Sequence, residues 1–252
     1  MESGNLIKVE GLNVNVRISG IGERVILFLH GWGGSITSFE LAENFFKKSY
    51  RTINLDFLGH GKSDNPPCSG FGVSEYAEYI KLLLDTLRIH KLDIVAHSFG
   101  GRVAIMLAYK YPELVNKLVL TASAGIKPRF SLARSFKIAM FKLKRKLNKK
   151  GLLKRFDESD HGSSDFKRLS ENMKRVFINV VNEDLASKLK HIEAPTLIIW
   201  GKRDRDTPMY MARKLVKGLK NSKLVIFEEA GHYAYLERFD RFLSLVTEFL
   251  SE

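Results

Sequence analysis

The chain has 252 residues, of which 44% are hydrophobic, and its formal net charge is +13. This length and apolar content suit one fairly large domain, or a core with an insertion, and supply ample material for a buried core. Cys68 is the only cysteine, which excludes an internal disulfide and a cluster of thiolate metal ligands.

The sequence carries no recognisable targeting signal. The first residues, Met-Glu-Ser-Gly-Asn, contain no basic stretch followed by an apolar run, so we expect no secretory signal. No apolar stretch approaches the roughly 18 residues of a membrane-spanning helix. A single cysteine also fits a reducing compartment. We therefore expect a cytoplasmic protein.

The positive charge is concentrated in one segment. Residues 126–193 hold 18 Lys and Arg against 8 Asp and Glu, a net charge of +10, which leaves +3 for the rest of the chain. Any electrostatic attraction to a partner therefore depends on this segment.

The predicted elements begin with an edge hairpin and a buried strand. Residues 6–19 alternate apolar and polar side chains around Gly11, and residues 25–29 form a continuous apolar run. That strand leads into His30-Gly-Trp-Gly-Gly34. Glycines let the backbone turn so that an N–H group faces a pocket, which makes the Trp32 amide a candidate donor to an oxyanion. His30 itself is predicted to be a hydrogen-bonded loop residue rather than a base.

A second buried strand, residues 52–56, lies between an amphipathic segment over residues 37–48 and a helix over residues 73–90. The Gly-Lys-Ser motif at residues 61–63 would fit a phosphate-binding loop only with a glycine five positions before its own glycine, and Asp56 stands there. We therefore exclude nucleotide binding at this site. The motif is better explained as a tight turn stabilised by Asp56.

A serine occupies a sharp predicted turn. Residues 94–96 end a buried parallel strand, Ser98 follows, and residues 99–111 have helical character. Ala96 and Gly100 stand two positions before and after the serine, where strand and helix pass close together. Such a turn exposes the hydroxyl at a helix N-terminus, where N–H groups favour developing negative charge. Ser98 is a candidate nucleophile, and its alternative role is that of a helix cap.

The basic segment follows a strand at residues 117–121. Apolar side chains recur at helical spacing from Leu132 to Leu147, and residues 165–190 are also predicted to be helical. We predict that residues 126–193 form a small helical cap inserted between two core strands. Its charge fits a solvated face, recognition of an anionic substrate, or weak peripheral contact with an anionic membrane. We expect no nucleic-acid partner, because the basic residues lack interleaved aromatics and a recognised motif.

Two later strands end in candidate partners for the serine. A buried strand at residues 195–200 is followed by Asp204 and Asp206, and the last strand, residues 223–227, is followed by His232. An acid just past a strand end can reach a neighbouring loop. An amphipathic C-terminal helix completes the chain.

Strands that alternate with helices predict an α/β fold, with a mainly parallel central sheet of about eight strands and flanking helices. Residues 1–125 and 194–252 are predicted to form this core. Ligands of such sheets bind beyond the carboxyl ends of the strands. Ser98, Asp204 and His232 each follow a predicted strand end, so we expect them on one rim of the sheet.

The sequence resembles the α/β-hydrolase superfamily over nearly its whole length. Five motifs carry the resemblance, in order and at predicted strand ends: His30-Gly-Trp-Gly-Gly34, Asp56-x-x-Gly-x-Gly-x-Ser63, Ala96-His-Ser-Phe-Gly100, Gly201-x-x-Asp204-x-x-x-Pro208 and Gly231-His232. The resemblance implies Ser98 as nucleophile, His232 as base and Asp204 as the acid that orients the base. Asp206 is the runner-up acid, because the Gly-x-x-Asp spacing favours Asp204.

The chemistry that this resemblance implies is attack on a carbonyl group. Trp32 and Phe99 would supply two backbone N–H donors to the oxyanion. His232 would take the proton of Ser98 during attack, and Asp204 would hold the imidazole in the correct tautomer. No metal or other cofactor is expected. Dehalogenases and epoxide hydrolases of this fold carry aspartate in place of the serine, which argues against those two activities.

The fold does not fix the substrate. The first hypothesis is a carboxylesterase-like hydrolase of small or medium esters, acting through an acyl-enzyme. The alternative is a C–C bond hydrolase that cleaves dienoate diketones with the same triad, or an acyltransferase or lyase on the same scaffold. From a different class, a non-catalytic ligand receptor that kept the triad geometry is also considered.

Overall fold

The computed structural model describes residues 4–127 and 169–252. The strands are β1 Asn5–Val9, β2 Leu12–Ser19, β3 Val25–Leu29, β4 Arg51–Leu55, β5 Leu92–His97, β6 Val115–Thr121, β7 Thr196–Gly201 and β8 Ser222–Phe227. The helices are α1 Glu40–Phe46, α2 Val73–Thr86, α3 Phe99–Lys110, α4 Glu171–Asn182, α5 Met209–Gly218, α6 Ala234–Glu237 and α7 Phe239–Ser251. Short 3-10 helices lie at Ile36–Phe39 and Leu189–His191.

The strands form one eight-stranded sheet in the order β1-β2-β4-β3-β5-β6-β7-β8. The pairs β1–β2 and β2–β4 are antiparallel, and every other neighbouring pair is parallel. The predicted α/β fold with a mainly parallel sheet is therefore confirmed. Because β3 to β8 run in the same direction, the loops after their carboxyl ends share one edge of the sheet.

The core lies on both faces of this sheet. In β3, Leu27 and Leu29 pack into the larger apolar cluster, whereas Ile26 and Phe28 point to the opposite face and join the second cluster. This alternation follows from the two-residue period of a strand. Full burial of such a side chain contributes about 1.5–3 kcal/mol, which explains why a strand covered on both faces reads as a continuous apolar run.

Two predicted helices are shorter than expected. Helix α2 ends at Thr86 rather than at residue 90, because Arg88 takes a left-handed backbone with φ of 56°. The N–H of Ile89 then bonds back to the carbonyl of Leu84 at 2.9 Å, which closes the helix end. The helix predicted over residues 165–190 corresponds, within the described residues, to α4, which begins at Glu171 and ends at Asn182.

The predicted cap falls largely outside the described residues. Of residues 126–193, the structure describes 126–127 and 169–193, and the helix predicted from Leu132 to Leu147 lies outside these ranges. The apolar side of α4 is buried in the larger core cluster through Met173, Val176 and Val180. None of the described helices combines the length and the apolar character needed to span a bilayer.

Candidate active site

Ser98 forms the turn between β5 and α3. Its backbone angles are φ 49° and ψ −109°, a conformation that L-residues adopt rarely and that costs about 1–3 kcal/mol. Gly100 permits the turn, since a Cβ at that position would lie 2.2 Å from the carbonyl oxygen of Leu29. The Ser98 N–H donates to the carbonyl of Thr121 at 3.2 Å. The side chain is half-buried and stands at the sheet edge.

Asp204 and His232 form a hydrogen-bonded pair at the same edge. Nδ1 of His232 lies 2.9 Å from Oδ2 of Asp204, and the aspartate side chain is fully buried. The other oxygen of Asp204 accepts backbone N–H groups from Asp206 and Thr207, both at 2.9 Å. Asp206, the runner-up acid, is exposed. The spacing therefore selected the carboxylate that is bonded to the imidazole.

The charge of Asp204 is supported by its hydrogen bonds. Burial opposes ionisation of the carboxyl group, but the hydrogen bonds from His232 and Thr207 outweigh it, and the pKa of Asp204 lies below its ordinary value. The ionised carboxylate can only accept at Nδ1 of His232, so Nδ1 carries the hydrogen. Nε2 of His232 is then the nitrogen left free to accept a proton.

His97 joins the serine turn to the loop that carries His232. Its ring lies 4.8 Å from the His232 ring, and its Nε2–H donates to the His232 backbone carbonyl at 3.1 Å. Burial, with the neighbouring His232, lowers the pKa of His97 to about 3, so the ring is neutral near pH 7. The hydrogen bond from His97 is the connection between the Ser98 turn and the His232 loop. Within the described residues, no hydrogen bond joins the Ser98 hydroxyl to the His232 ring, so their predicted meeting on one rim stays a prediction.

The glycine-rich loop after β3 lies against the serine. A Cβ on Gly31 would sit 2.8 Å from Nδ1 of His97 and 3.5 Å from Cβ of Ser98. Within residues 4–127 and 169–252, neither the Trp32 amide nor the Phe99 amide donates a hydrogen bond to a protein acceptor. Phe99 directly follows Ser98, and Trp32 follows Gly31, whose backbone lies against Ser98. An oxyanion site requires N–H donors that are not already bonded within the protein.

Three aromatic rings pack against the side chain of Trp32. The Trp32 ring packs edge-on against His60, Phe99 and Phe177, with centroids 4.8, 5.2 and 5.0 Å away. Phe177 belongs to α4, so the described part of the predicted cap covers the glycine-rich loop. The sequence did not predict this contact, and its only signal was the helical spacing of Phe177 with Met173.

His30 and Asp56 have structural roles. Nδ1–H of His30 donates to the Gly31 carbonyl at 2.7 Å, and Nε2 accepts the Phe57 N–H at 3.1 Å. Burial, with the neighbouring His60, lowers the pKa of His30 to about 3. The carboxylate of Asp56 accepts the N–H groups of Ile36 and Lys62 and the side-chain amide of Asn15. Both residues hold loops at the rim, as the sequence predicted.

One group of side chains in the described part of the chain has the residue types of a metal site. Ligand atoms of Asp204, Asp206 and His232 lie within 4.8 Å of one another. However, Nδ1 of His232 carries a hydrogen toward Asp204, and both oxygens of Asp204 already accept hydrogen bonds. The donor set therefore fits a hydrogen-bonded acid–histidine pair and not a metal site.

Family models match most of the chain. A model described as alpha/beta hydrolase fold matches residues 24–177, and one described as TAP-like protein matches residues 179–252. The chain belongs to the α/β-hydrolase family. The predicted resemblance is thereby confirmed, and the residues of the candidate site stand in both matched regions of this α/β hydrolase.

Similarity to named proteins covers almost the whole of this hydrolase. The 2-hydroxy-6-oxononadienedioate/2-hydroxy-6-oxononatrienedioate hydrolase of Paraburkholderia phymatum is 31% identical over 96% of this chain and 92% of that protein. A structure of the meta-cleavage product hydrolase CumD from Pseudomonas fluorescens IP01 is 25% identical, with a TM-score of 0.76 over 99% of this chain and 98% of its own. The esterase EaEST from Exiguobacterium antarcticum, 24% identical, has a TM-score of 0.78 over 99% of this chain and all of its own. The esterase likeness shows the fold alone.

Proposed function

We propose that this α/β hydrolase cleaves a carbon–carbon bond beside the ketone of a small dienoate diketone, with Ser98, Asp204 and His232 as its catalytic triad. The observation that carries the substrate class is 31% identity, over almost the full chain, to a protein named as a 2-hydroxy-6-oxononadienedioate hydrolase. The sequence placed ester hydrolysis first and this activity second. The named relatives favour the second.

The hydrogen bond between Asp204 and His232 supports these triad roles. His232 presents Nε2 as a base, because its Nδ1–H is held by Asp204 at 2.9 Å. It takes the proton of the Ser98 hydroxyl as the oxygen attacks the substrate ketone. Asp204, buried and ionised, fixes the tautomer and stabilises the imidazolium that forms.

The Trp32 and Phe99 N–H groups would stabilise the tetrahedral oxyanion. Neither amide bonds to another group in residues 4–127 and 169–252, and both lie beside the Ser98 turn. Loss of one such donor typically costs about 3–4 kcal/mol of transition-state stabilisation. The ring of Trp32 packs against three other aromatic rings, which supports a fixed position for the loop that carries the first donor.

A carbon leaving group must delocalise the electron pair of the broken bond, whereas the oxygen of an ester can hold that pair itself. The carbon–carbon bond beside the ketone breaks when its electron pair passes to the leaving carbon. In the diketone tautomer, the conjugated carbonyl of the dienoate half accepts that pair as an enolate. Water then supplies the hydroxyl that releases the acyl fragment and the proton that neutralises the enolate. His232 is the group that would shuttle these protons.

The charge of the sequence also suits this substrate class. A dienedioate carries two carboxylates, and residues 126–193 have a net charge of +10. Opposite charges raise the local substrate concentration and the association rate, and salt screens the effect. The predicted cap would therefore favour a dianionic substrate over a neutral ester.

Ester hydrolysis is the second candidate function, since the same triad and donors would attack an ester carbonyl. The two are separated with purified protein and two substrates: 2-hydroxy-6-oxonona-2,4-dienedioate, followed by loss of its absorbance, and p-nitrophenyl acetate. We expect the dienedioate to be turned over with the higher kcat/KM. Ser98→Ala should lose about 10⁴-fold or more in kcat.

Each other outcome is decisive. Ester turnover without dienedioate turnover would replace this proposal with the esterase. Turnover that persists in Ser98→Ala would remove the triad assignment. Dienedioate binding without turnover of either substrate would favour the receptor.

A further inference from the structure

The hydroxyl of Thr207 lies inside the acid–histidine pair. Oγ1 is 2.6 Å from Oδ2 of Asp204, 3.1 Å from the carbonyl of Ala122 and 3.4 Å from Nδ1 of His232. Thr207 is buried, so water does not compete for these contacts.

A single hydroxyl hydrogen must choose among these neighbours. Nδ1 of His232 carries its own hydrogen and cannot accept. Hydrogen bonds from a hydroxyl to a carboxylate are about 2.5–2.7 Å long and roughly twice as strong as neutral ones, and the 2.6 Å contact to Asp204 fits that class. Thr207 therefore donates to Oδ2, the same oxygen that accepts the hydrogen of His232.

We propose that Thr207 is a positioning residue that acts through Asp204 and weakens the hold of the carboxylate on the imidazole of His232. This inference rests on the proposed triad. The hydroxyl hydrogen draws negative charge from Oδ2, so the carboxylate holds the imidazolium less tightly. The hydroxyl oxygen acts in the opposite sense on Nδ1, but at 3.4 Å it is farther away. The 2.6 Å bond to Oδ2 outweighs it.

Other groups near His232 are unchanged by substitution at Thr207. The titratable and charged groups that face His232 or its loop are Asp204, Asp206, His97, Tyr233 and Glu237. Thr207→Val replaces the hydroxyl with a methyl group of the same shape and changes none of these groups. A change in the pH dependence of the Ser98 reaction in Thr207→Val is therefore assigned to the lost hydroxyl.

The test measures how fast Ser98 is sulfonylated by phenylmethylsulfonyl fluoride between pH 5 and 9, because this reaction reports on the triad without any substrate. In the wild type we expect the sulfonylation rate to fall on the acidic side of this range, and we call that part of the rate–pH curve the acidic limb. In Thr207→Val this limb should move to higher pH by about 0.5 unit or more, which makes the reaction roughly three-fold slower at a given pH on the limb. Thr207→Ser keeps the hydroxyl and should restore the wild-type limb.

Thr196→Val is the matched control, since Thr196 is a buried threonine at the opposite end of β7 whose hydroxyl bonds to the carbonyl of Ala194. Its limb should match the wild type. If Thr207→Val does not fold, Thr207→Ala takes its place. An acidic limb that coincides with the wild type in the folded variant would overturn the inference, whatever the change in rate or Tm.

The two proposals fail in different ways. If Ser98 of the wild type is sulfonylated with the expected acidic limb but the dienedioate is not turned over, the C–C hydrolase assignment is wrong. The inference on Thr207 is unaffected by that result. An unchanged limb in His232→Gln would show that His232 is not the base. It would overturn both the triad and this inference.

Discussion

The guanidinium of Arg102 donates a hydrogen bond of 2.7 Å to the backbone carbonyl of Glu183. A second, longer bond of 3.4 Å reaches the carbonyl of Val181. Arg102 lies on the helix that follows Ser98, and Glu183 directly follows α4. Burial lowers the pKa of Arg102 to about 10, so the side chain is charged at neutral pH. The nucleophile helix is thus tied to the C-terminal end of α4.

Loss of this tie should destabilise the protein. Arg102→Met leaves the carbonyls at the end of α4 without their charged donor, and a hydrogen bond to a charged group contributes about 1.5–3 kcal/mol. We expect the free energy of unfolding, measured in urea, to fall by a similar amount. Arg175→Met, which changes an exposed arginine of α4, is the control. Equal stability of the two variants would contradict this role.

Substitution of the two neighbouring aspartates should separate the acid of the triad from its neighbour. Asp204→Asn preserves shape but presents an amide to His232, which favours the wrong imidazole tautomer, and we expect kcat to fall by about 10⁴-fold. Asp206→Asn should stay within a few-fold of the wild type, because its side chain is exposed. Turnover of the dienedioate or the ester measures both. A larger loss in Asp206→Asn would reverse the assignment.

Two buried histidines should make the fold sensitive to acid. The pKa values of His30 and His97 are lowered from 6.5 to about 3. The unfolded chain therefore binds protons below pH 6.5 that the folded protein does not. Their contribution is fully present above pH 6.5 and is lost as the pH falls toward 3, at about 1.4 kcal/mol per pH unit for each histidine.

The measurement is urea unfolding at pH 7 and at pH 5. Between these values we expect the two histidines together to reduce the free energy of unfolding by about 4 kcal/mol. His97→Gln keeps an N–H donor for the His232 carbonyl and should remove about half of this dependence. The exposed His90→Gln is its control. A pH dependence that is the same in both variants would refute the assignment to His97.

The backbone of Ser98 predicts an unusual order of stability. Glycine adopts φ near 49° without strain, so Ser98→Gly should be more stable than Ser98→Ala by about 1–2 kcal/mol. In the interior of a helix the order reverses, and Ser244→Ala in α7 should be more stable than Ser244→Gly by about 1 kcal/mol. Urea unfolding of the four variants tests this. A Ser98→Gly that is no more stable than Ser98→Ala would mean that the turn is unstrained.

Most of the fold could be predicted because its signals are local. The strand at Val25–Leu29 was predicted to the residue, since a strand buried on both faces must be apolar at every position. The end of α2 could not be predicted in the same way. Its left-handed position is Arg88 rather than glycine, and only the packed structure reveals that the chain turns there.

The candidate site was predictable as a set of positions but not as a network. Spacing after strand ends selected Asp204 and His232, and these two side chains are bonded. Their catalytic roles stay predictions. The contacts of His97, Thr207 and Phe177 join residues far apart in the sequence, and no local pattern encodes such contacts. Short motifs predict which residues lie at the carboxyl edge of the sheet. The hydrogen bonds that support them depend on tertiary packing.

The contact between Trp32 and Phe177 limits how freely the enzyme could be re-engineered. Residues 126–193 are predicted to form an inserted cap, and replacing them with a foreign insertion is a direct route to a new specificity. However, the ring of Phe177 in this segment packs against the ring of Trp32. A chimera without an aromatic residue at that position would lose this contact with the glycine-rich loop. Substrate selectivity and turnover would therefore change together.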